Sequence, residues 1–454
     1  MRTNPLDTAQ EERFPARERQ RMSDDGSTME SAAKPMPQRV LSVDVLRGLT
    51  IALMILVNDP GDWSHVYAQL DHAAWNGFTL TDMVFPNFLF LVGASIIFSL
   101  EGRIARGESR RALAGHMLRR AATLFAIKMF LSAFPHFHWT HLRLFGVLTR
   151  IAVCYLAVGL ICLATRRARA LAAIAAGLLV GYWAMMRFVP VPLMTAPGFG
   201  VPTHAMPILD PDRNLAAWID RGFTVFTQRT IHTGTLYNHT RDPEGLLSTL
   251  PAIATTLIGA VAGLWMRRVA GMKESGVFGS KPRARCLSGL VVAGMGGLAA
   301  GLAWSRWFPI NKNLWTSSYV LYAAGWSLVL LALCYWLIDI RRMNETTAGR
   351  GLLWPWLVFG SNAITAFVLS NFLVETLLWI KVPAGAMVGT ATGPAAVNAV
   401  APASSISAWL WVYQHGFAHG QSSEATSLAF ALAFTALCFV PNWILWRRKI
   451  FLKI

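Results

Sequence analysis

The residues best suited to catalysis lie around the loop between the first two apolar segments. Asn58 ends the first segment, His72 lies in the loop, and Asp82 follows ten residues later at the start of the second segment. An imidazole can act as a general base or nucleophile near neutral pH. We therefore predict that His72 performs the chemistry, that Asp82 orients its ring and that Asn58 donates to an oxyanion. The alternative is that His72, close to Trp75, only anchors the chain at a membrane surface.

Three cations stand within apolar segments, where a charge is costly and often functional. Lys128 and Arg150 are candidates to hold phosphates or a carboxylate, and the alternative is a buried ion pair, for instance with Glu375. Arg47 is a third cationic candidate for cofactor binding. It follows Asp44 by three residues on one helix face, so we also expect these two side chains to pair.

Further polar residues suit a sugar acceptor because amides and carboxylates bind hydroxyl groups. The candidates for substrate binding are Asn76, Asn311, Asn313, Trp315, Glu244 and Asn362. A capping turn in PINKNLW (309–315) and a helix start in DPEGLLSTLPA (242–252) are the structural alternatives. His136, His138 and His141 have no nearby carboxylate, so we expect an aromatic belt there and no metal site.

The composition indicates an integral membrane protein. Of 454 residues, 54% are hydrophobic and only 14% are charged, against about 25% charged in soluble proteins. This excludes a soluble globular domain. The net charge of +17 lies mostly in short loops, as membrane topology requires, so we expect no nucleic-acid partner. The five cysteines form no CxxC motif, which argues against a disulfide framework or a cysteine-type zinc site.

The chain is predicted to be an all-α bundle of ten transmembrane helices. The ninth segment is long enough to break or tilt, and 405–417 is short, so it is expected to be interfacial, with an eleventh span as the alternative. The ten apolar segments are 40–58, 83–100, 118–134, 144–164, 170–189, 247–266, 286–304, 316–339, 354–380 and 425–446.

The distribution of positive charge predicts the orientation in the bilayer. With the N-terminus in the cytoplasm, 29 of the 41 Lys and Arg residues are cytoplasmic, nine are exterior and three lie within spans. Both termini are therefore predicted to be cytoplasmic and His72 exterior. Residues 1–38 are expected to be a disordered tail, and 39–454 to form the membrane domain. Three GxxxG pairs favour helix packing within the chain, with a homodimer as the alternative.

Several ordered motifs resemble the heparan-alpha-glucosaminide N-acetyltransferase family, and the similarity covers about residues 39–454. They are RVLSVDVLRGLTIALMILVND (39–59), DHAAWNGFTLTDMVFPNFLFLVGASIIFSL (71–100), FGVLTRI (145–151), DPEGLLSTLPA (242–252), PINKNLWTSSYVL (309–321) and RRKIFLKI (447–454). The resemblance implies transfer of an acetyl group from cytoplasmic acetyl-CoA to an amino sugar or glycan on the other side. The family's active histidine, its partner asparagine and its acid match His72, Asn58 and Asp82.

The resemblance leaves several alternatives open. Some bacterial relatives have been described as N-acetylglucosamine transporters, so an amino-sugar transporter of the inner membrane is the alternative function. A bacterial chain of this kind is expected in the inner membrane. The acceptor, the acyl chain and the choice between direct transfer and an acetyl-histidine intermediate are not determined by the sequence.

Overall fold

The computed structural model describes residues 40–191, 210–270, 282–383 and 405–452. Short 3₁₀ turns at Trp139–His141 and Met343–Glu345 join helices, and β1 (Lys381–Pro383) pairs antiparallel with β2 (Ser405–Ser407). The α-helices are α1 (Leu41–Asn58), α2 (Leu80–Ala105), α3 (Arg110–Ala133), α4 (Val147–Ala164), α5 (Ala168–Phe188), α6 (Leu215–Ile231), α7 (Thr249–Ala270), α8 (Pro282–Trp304), α9 (Ser317–Tyr335), α10 (Thr347–Ser361), α11 (Ala363–Trp379), α12 (Ala408–Tyr413) and α13 (Glu424–Arg447).

The predicted all-α polytopic membrane fold is confirmed. Within the described ranges, eight helices are long and apolar enough to cross a bilayer: α1, α2, α4, α5, α7, α8, α9 and α13. The pair α10 and α11 bends by 77° at Asn362 and adds a ninth crossing if it is one span. The predicted break in segment 354–380 is therefore present.

Helix α3 covers the predicted segment 118–134 but differs from the other long helices. Its first half carries four arginines, Arg110, Arg111, Arg119 and Arg120, so it is less apolar than the eight helices above. The predicted segment 405–417 contains β2 and the six-residue α12. A helix of six residues rises about 9 Å, which is far less than the ~30 Å of a bilayer core.

Small residues let the central helices approach closely. A Cβ added at Gly48 of α1 would lie 1.7 Å from the Trp356 carbonyl oxygen of α10, and one at Gly259 of α7 would lie 1.9 Å from the Phe90 carbonyl oxygen of α2. Only glycine allows such backbone contacts. Two of the predicted GxxxG pairs, Gly259/Gly263 and Gly297/Gly301, thus pack within the chain. A Cβ at Gly177 would meet nothing within 4 Å.

The end of the bundle where α2 and α9 begin is tied together by buried hydrogen bonds. The Tyr319 hydroxyl of α9 donates to the Asp82 carbonyl oxygen at 2.7 Å, and the Ser317 hydroxyl donates to the Leu179 carbonyl oxygen of α5 at 2.7 Å. Tyr319 and Ser317 are fully buried. These contacts fix the starts of α2 and α9 relative to each other, and these two starts carry the polar site described next.

Candidate active site

His72 and Asp82 form a histidine–carboxylate pair at the start of α2. The His72 Nδ1 lies 2.8 Å from Asp82 Oδ1. The Asp82 side chain is only 1% exposed, whereas the His72 ring is 40% exposed. With Asp82 ionised, Nδ1 bears the proton and donates it, so Nε2 keeps its lone pair. The arrangement therefore orients a partly exposed imidazole in which Nε2 is the unprotonated nitrogen.

The second oxygen of Asp82 fixes the loop that carries His72. Oδ2 accepts hydrogen bonds of 3.1 Å from the backbone N–H groups of Ala73 and Thr79. Thr79 in turn caps α2, and Asp82 stands at the third position of the helix in a capping box. Such boxes satisfy the free N–H groups at a helix start. Asp82 thus has a structural role through Oδ2 and an orienting role through Oδ1.

Lys312 is a site residue that the sequence reasoning missed. Its Nζ lies 2.9 Å from His72 Nε2 and 3.1 Å from Nδ1. Because Nδ1 already donates to Asp82, Nε2 is the nitrogen that can accept from the ammonium. Nζ also lies 4.0 Å from Asp82 Oδ1. The sequence signal for it is a lysine between the two asparagines of PINKNLW.

The turn that carries Lys312 is attached to the His72 loop at two points. Asn311 Nδ2 donates to Asn76 Oδ1 at 3.2 Å, and the Gly77 N–H donates to the Ile310 carbonyl oxygen at 2.9 Å. Asn311 is buried, and its Oδ1 accepts from the Leu314 N–H at 2.8 Å. The structure therefore brings Asn76 and Asn311 together beside His72, with their mutual bond holding the turn.

A cluster of ion pairs lies behind this turn. Arg143 forms two hydrogen bonds with the buried Asp242, at 2.6 and 2.7 Å, and its Nη2 lies 2.5 Å from Glu244. Burial lowers the pKa of Arg143, but these carboxylates outweigh it and raise the pKa above its ordinary value. Burial would raise the pKa of Glu244, but attraction to Arg143, Arg150 and Lys312 lowers it. The carboxylate of Glu244 is therefore held ionised by the cations around it.

Arg150 is a fully buried cation whose guanidinium lies 4.9 Å above the Trp315 ring. Its Nη2 donates to the Gly245 carbonyl oxygen at 3.1 Å and also to the Ser248 hydroxyl. Nε and Nη1 have no hydrogen-bond partner among the described residues. Trp315 is 1% exposed and donates to Thr255 Oγ1. Its burial leaves no ring surface for an acceptor, so its contacts are those of packing.

The other predicted site residues make no hydrogen bond to the His72 pair within the described ranges. Asn58 is exposed at the end of α1, and no hydrogen bond within the described ranges joins it to His72 or Asp82. Asn313 is partly buried in the Lys312 turn. The buried Asn362 lies at the α10–α11 break, where its amide donates to the Ile450 carbonyl oxygen and accepts from the Leu452 N–H. Asn362 thus anchors the C-terminal segment.

Lys128 and Arg47 are occupied by protein partners. Lys128 donates to the Ser132 hydroxyl near the end of α3, and no ion pair in the described ranges joins it to Glu375. Arg47 lies 2.6 Å from Asp44, as predicted, and its Nε donates to the Gly360 carbonyl oxygen at 2.9 Å. Neither cation contacts the His72 pair. A role for them in binding acetyl-CoA stays a prediction.

Sequence comparison relates this chain to known acetyltransferases. Residues 39–209 match the family model described as heparan-alpha-glucosaminide N-acetyltransferase, catalytic. The chain is 28% identical over 373 residues to the human heparan-alpha-glucosaminide N-acetyltransferase and 27% identical over 368 residues to the mouse protein. Each alignment covers 73% of this chain and 53% of the relative. The chain therefore spans about half the length of these relatives, and the matched model contains His72 and Asp82 but ends before Lys312.

The all-α membrane bundle and these alignments therefore point in the same direction. The chain is similar to the heparan-alpha-glucosaminide N-acetyltransferase family, and the match to the family's catalytic model extends over residues 39–209.

Proposed function

We propose that the protein is a transmembrane N-acetyltransferase that moves an acetyl group from acetyl-CoA to an amino sugar or glycan. The observation that carries the proposal is the His72–Asp82 pair, in which a buried carboxylate orients a half-exposed imidazole at one end of a membrane bundle. A pair of this geometry suits proton removal from an amine or acceptance of an acyl group. The names of the relatives support the same chemistry.

In the proposed reaction, Asp82 holds the proton on Nδ1 and leaves Nε2 as the base. Nε2 then removes a proton from the acceptor amine as that amine attacks the thioester carbonyl carbon. In a covalent variant, Nε2 itself attacks that carbon and passes the acetyl group to the amine. Both routes need the Nε2 lone pair, and both pass through an oxyanion. The fixed loop and the double use of Asp82 would keep the ring in place throughout.

The proposal places the donor and the acceptor on opposite sides of the membrane. The charge distribution predicts that the His72 loop is exterior and that the arginine-rich connections are cytoplasmic. Acetyl-CoA carries several charges and does not cross a bilayer unaided, because charges are costly in hydrocarbon. Its thioester would therefore have to reach His72 from within the bundle. The donor side follows from this orientation and forms part of the proposal.

The test uses proteoliposomes loaded with glucosamine and supplied outside with labelled acetyl-CoA. His72→Ala should reduce transfer by ~10²–10⁴-fold, which is the usual contribution of a general base. His65→Ala is a matched control, because His65 Nδ1 lies 2.8 Å from Asp62 in the same loop. The Asp62 side chain is 27% exposed, against 1% for Asp82. The control variant should keep full activity.

Two results would contradict the proposal. Full transfer by folded His72→Ala protein would remove the assigned role of His72. Uptake of labelled glucosamine into vesicles without acetyl-CoA, with no acetylated product when the donor is added, would favour the transporter. Two amides that an amino-sugar transporter could use, Asn311 and Asn362, are both engaged in partly buried hydrogen bonds within the protein.

A further inference from the structure

Lys312 occupies the position that a reacting carbonyl group would approach. Its Nζ is 2.9 Å from His72 Nε2, and reacting atoms in a productive complex come within roughly 3–3.5 Å of each other. A carbonyl oxygen lies about 1.2 Å from its carbon. An oxygen on a carbon close to Nε2 would therefore be within hydrogen-bond reach of the ammonium after a small movement of a flexible lysine side chain.

The backbone at Lys312 is held firmly although its side chain is long. The Asn311 N–H donates to Thr316 Oγ1 at 3.1 Å, and the Thr316 N–H donates back to the Asn311 carbonyl oxygen at 3.1 Å. The buried Tyr182 hydroxyl donates to the Leu314 carbonyl oxygen at 2.5 Å. A donor on a fixed turn needs little reorganisation when charge develops nearby, and this makes such donors effective.

The groups around Lys312 have opposing effects on the protonation of its amine. Burial lowers the pKa of Lys312, the carboxylates of Asp82 and Glu244 raise it, and Arg150 lowers it; the net shift is downward. An ammonium carries three N–H donors and no lone pair, so it can donate to an oxyanion but cannot compete with His72 as a nucleophile. Asn58, the predicted oxyanion donor, has no hydrogen bond to this site in the described ranges.

We propose that Lys312 is a catalytic residue whose ammonium stabilises the oxyanion formed on the thioester carbonyl next to His72. The inference rests on the proposed acetyltransferase function. It assigns the oxyanion role to a residue 240 positions away from His72 in the sequence, outside the matched family model.

The direct form of the step balances as follows. The acceptor nitrogen bonds to the carbonyl carbon, and the carbonyl π electrons move to oxygen, where Lys312 donates a hydrogen bond. His72 Nε2 takes the proton that the amine loses. When the C–S bond breaks, the electron pair returns from oxygen to form the amide carbonyl. The thiolate leaves with the proton from Nε2, so Lys312 keeps its own proton throughout.

The test compares Lys312→Met, Lys312→Arg and the control Lys381→Met in the transfer assay. Lys381 is also predicted to be exterior, but it is exposed, and within the described part of the chain its ammonium donates to the Leu378 carbonyl oxygen and not to a histidine or carboxylate. Lys312→Met should lower kcat by ~10²–10³-fold, as loss of one oxyanion donor does, with the KM for acetyl-CoA changed less than about threefold. The kcat of Lys312→Arg should be at least about tenfold higher than that of Lys312→Met, because arginine restores a charged donor. Lys381→Met should match the wild type.

A second measurement covers the case in which Lys312→Met does not fold. Activity in the wild type should fall at alkaline pH as Lys312, whose pKa is lowered by burial, loses its proton. His72, Asp82, Glu244 and Arg150 face this lysine and remain in the variant. Since arginine stays protonated, the alkaline limb of Lys312→Arg should move to higher pH. An unmoved limb would overturn the proposal.

The outcomes separate this inference from the proposed function. Transfer that is lost in His72→Ala but complete in folded Lys312→Met would overturn the role of Lys312 and leave the acetyltransferase standing. If Lys312→Met lost thermal stability and its lower kcat were explained by the smaller amount of folded protein, with no recovery in Lys312→Arg, the lysine would be structural. That result would also overturn its catalytic role. A wild-type protein without transfer activity would overturn both.

Discussion

Replacing Asp82 by asparagine separates the orienting role of this residue from its structural one. Asp82 Oδ2 accepts from Ala73 and Thr79, and the amide oxygen of asparagine can keep those hydrogen bonds. The amide nitrogen would then face His72 Nδ1, which must become an acceptor. The proton would move to Nε2, so the nitrogen that acts as base would no longer have a lone pair.

The structure predicts unequal effects on stability and on activity. One partly buried, charge-assisted hydrogen bond is exchanged for a neutral one, which costs about 1–2 kcal/mol of folding free energy. The wrong tautomer should lower kcat by ~10²–10⁴-fold, which corresponds to a barrier roughly 2.7–5.4 kcal/mol higher. The loss of activity should therefore exceed what the loss of folded protein explains.

The assay is single-turnover acetyl transfer at saturating acetyl-CoA, with thermal unfolding followed on the same sample. Asp62→Asn is the matched control because Asp62 Oδ2 lies 2.8 Å from His65 Nδ1 on a more exposed part of the loop. That variant should keep wild-type rates. If folded Asp82→Asn keeps more than about a tenth of the wild-type rate, Asp82 does not control the tautomer of His72 and the reasoning is refuted.

Two further predictions concern stability. Burial raises the pKa of Asp220 to about 7 from 3.8, so its contribution to stability should be complete below pH 3.8 and be lost as pH rises towards 7. The amide of Asp220→Asn can still accept from the Leu246 N–H, so in this variant the melting temperature should fall less steeply as pH rises from 3.8 to 7. An unchanged slope of melting temperature against pH would contradict this role of Asp220. Gly48→Ala should cost about 1–3 kcal/mol by overpacking against Trp356, whereas Gly177→Ala, in open space, should melt like the wild type.

The membrane class and the positions of most helices could be predicted from hydropathy and charge. Both depend on the length and apolar content of the segments. The length of segment 354–380 predicted that it breaks or tilts, and the structure has a 77° bend at Asn362, where the C-terminal residues bind its amide. The composition of α3 shows the limit of the approach. Its apolar second half predicts a span, but the arginines of its first half belong to the same helix.

Local patterns could locate His72 and Asp82 because only ten residues separate them around one helix start. They could not locate Lys312, because its position beside His72 depends on the packing of α2 against α9 and on the Asn76–Asn311 bond between distant loops. The amides in PINKNLW predicted sugar binding because amides suit sugar hydroxyls. The structure uses one of them, Asn311, to set the turn that presents the lysine.

The balance of charge at this end of the bundle bears on how the donor would be used. Three cations, Lys312, Arg143 and Arg150, are accompanied by three carboxylates, Asp82, Asp242 and Glu244. One further cation, Lys128, and one further carboxyl group, Asp220, interact with this set, so the numbers remain equal. A cluster without net charge exerts little attraction on the phosphates of a nucleotide, yet each of its fixed charges still acts strongly at a few ångströms. Lys312 can thus act on an oxyanion beside His72 without the site holding the polyanionic part of acetyl-CoA. In the proposed reaction the acetyl group reaches one face of the membrane while the phosphates of coenzyme A remain at the other. Such a reaction needs an oxyanion site that is separate from the site that binds these phosphates.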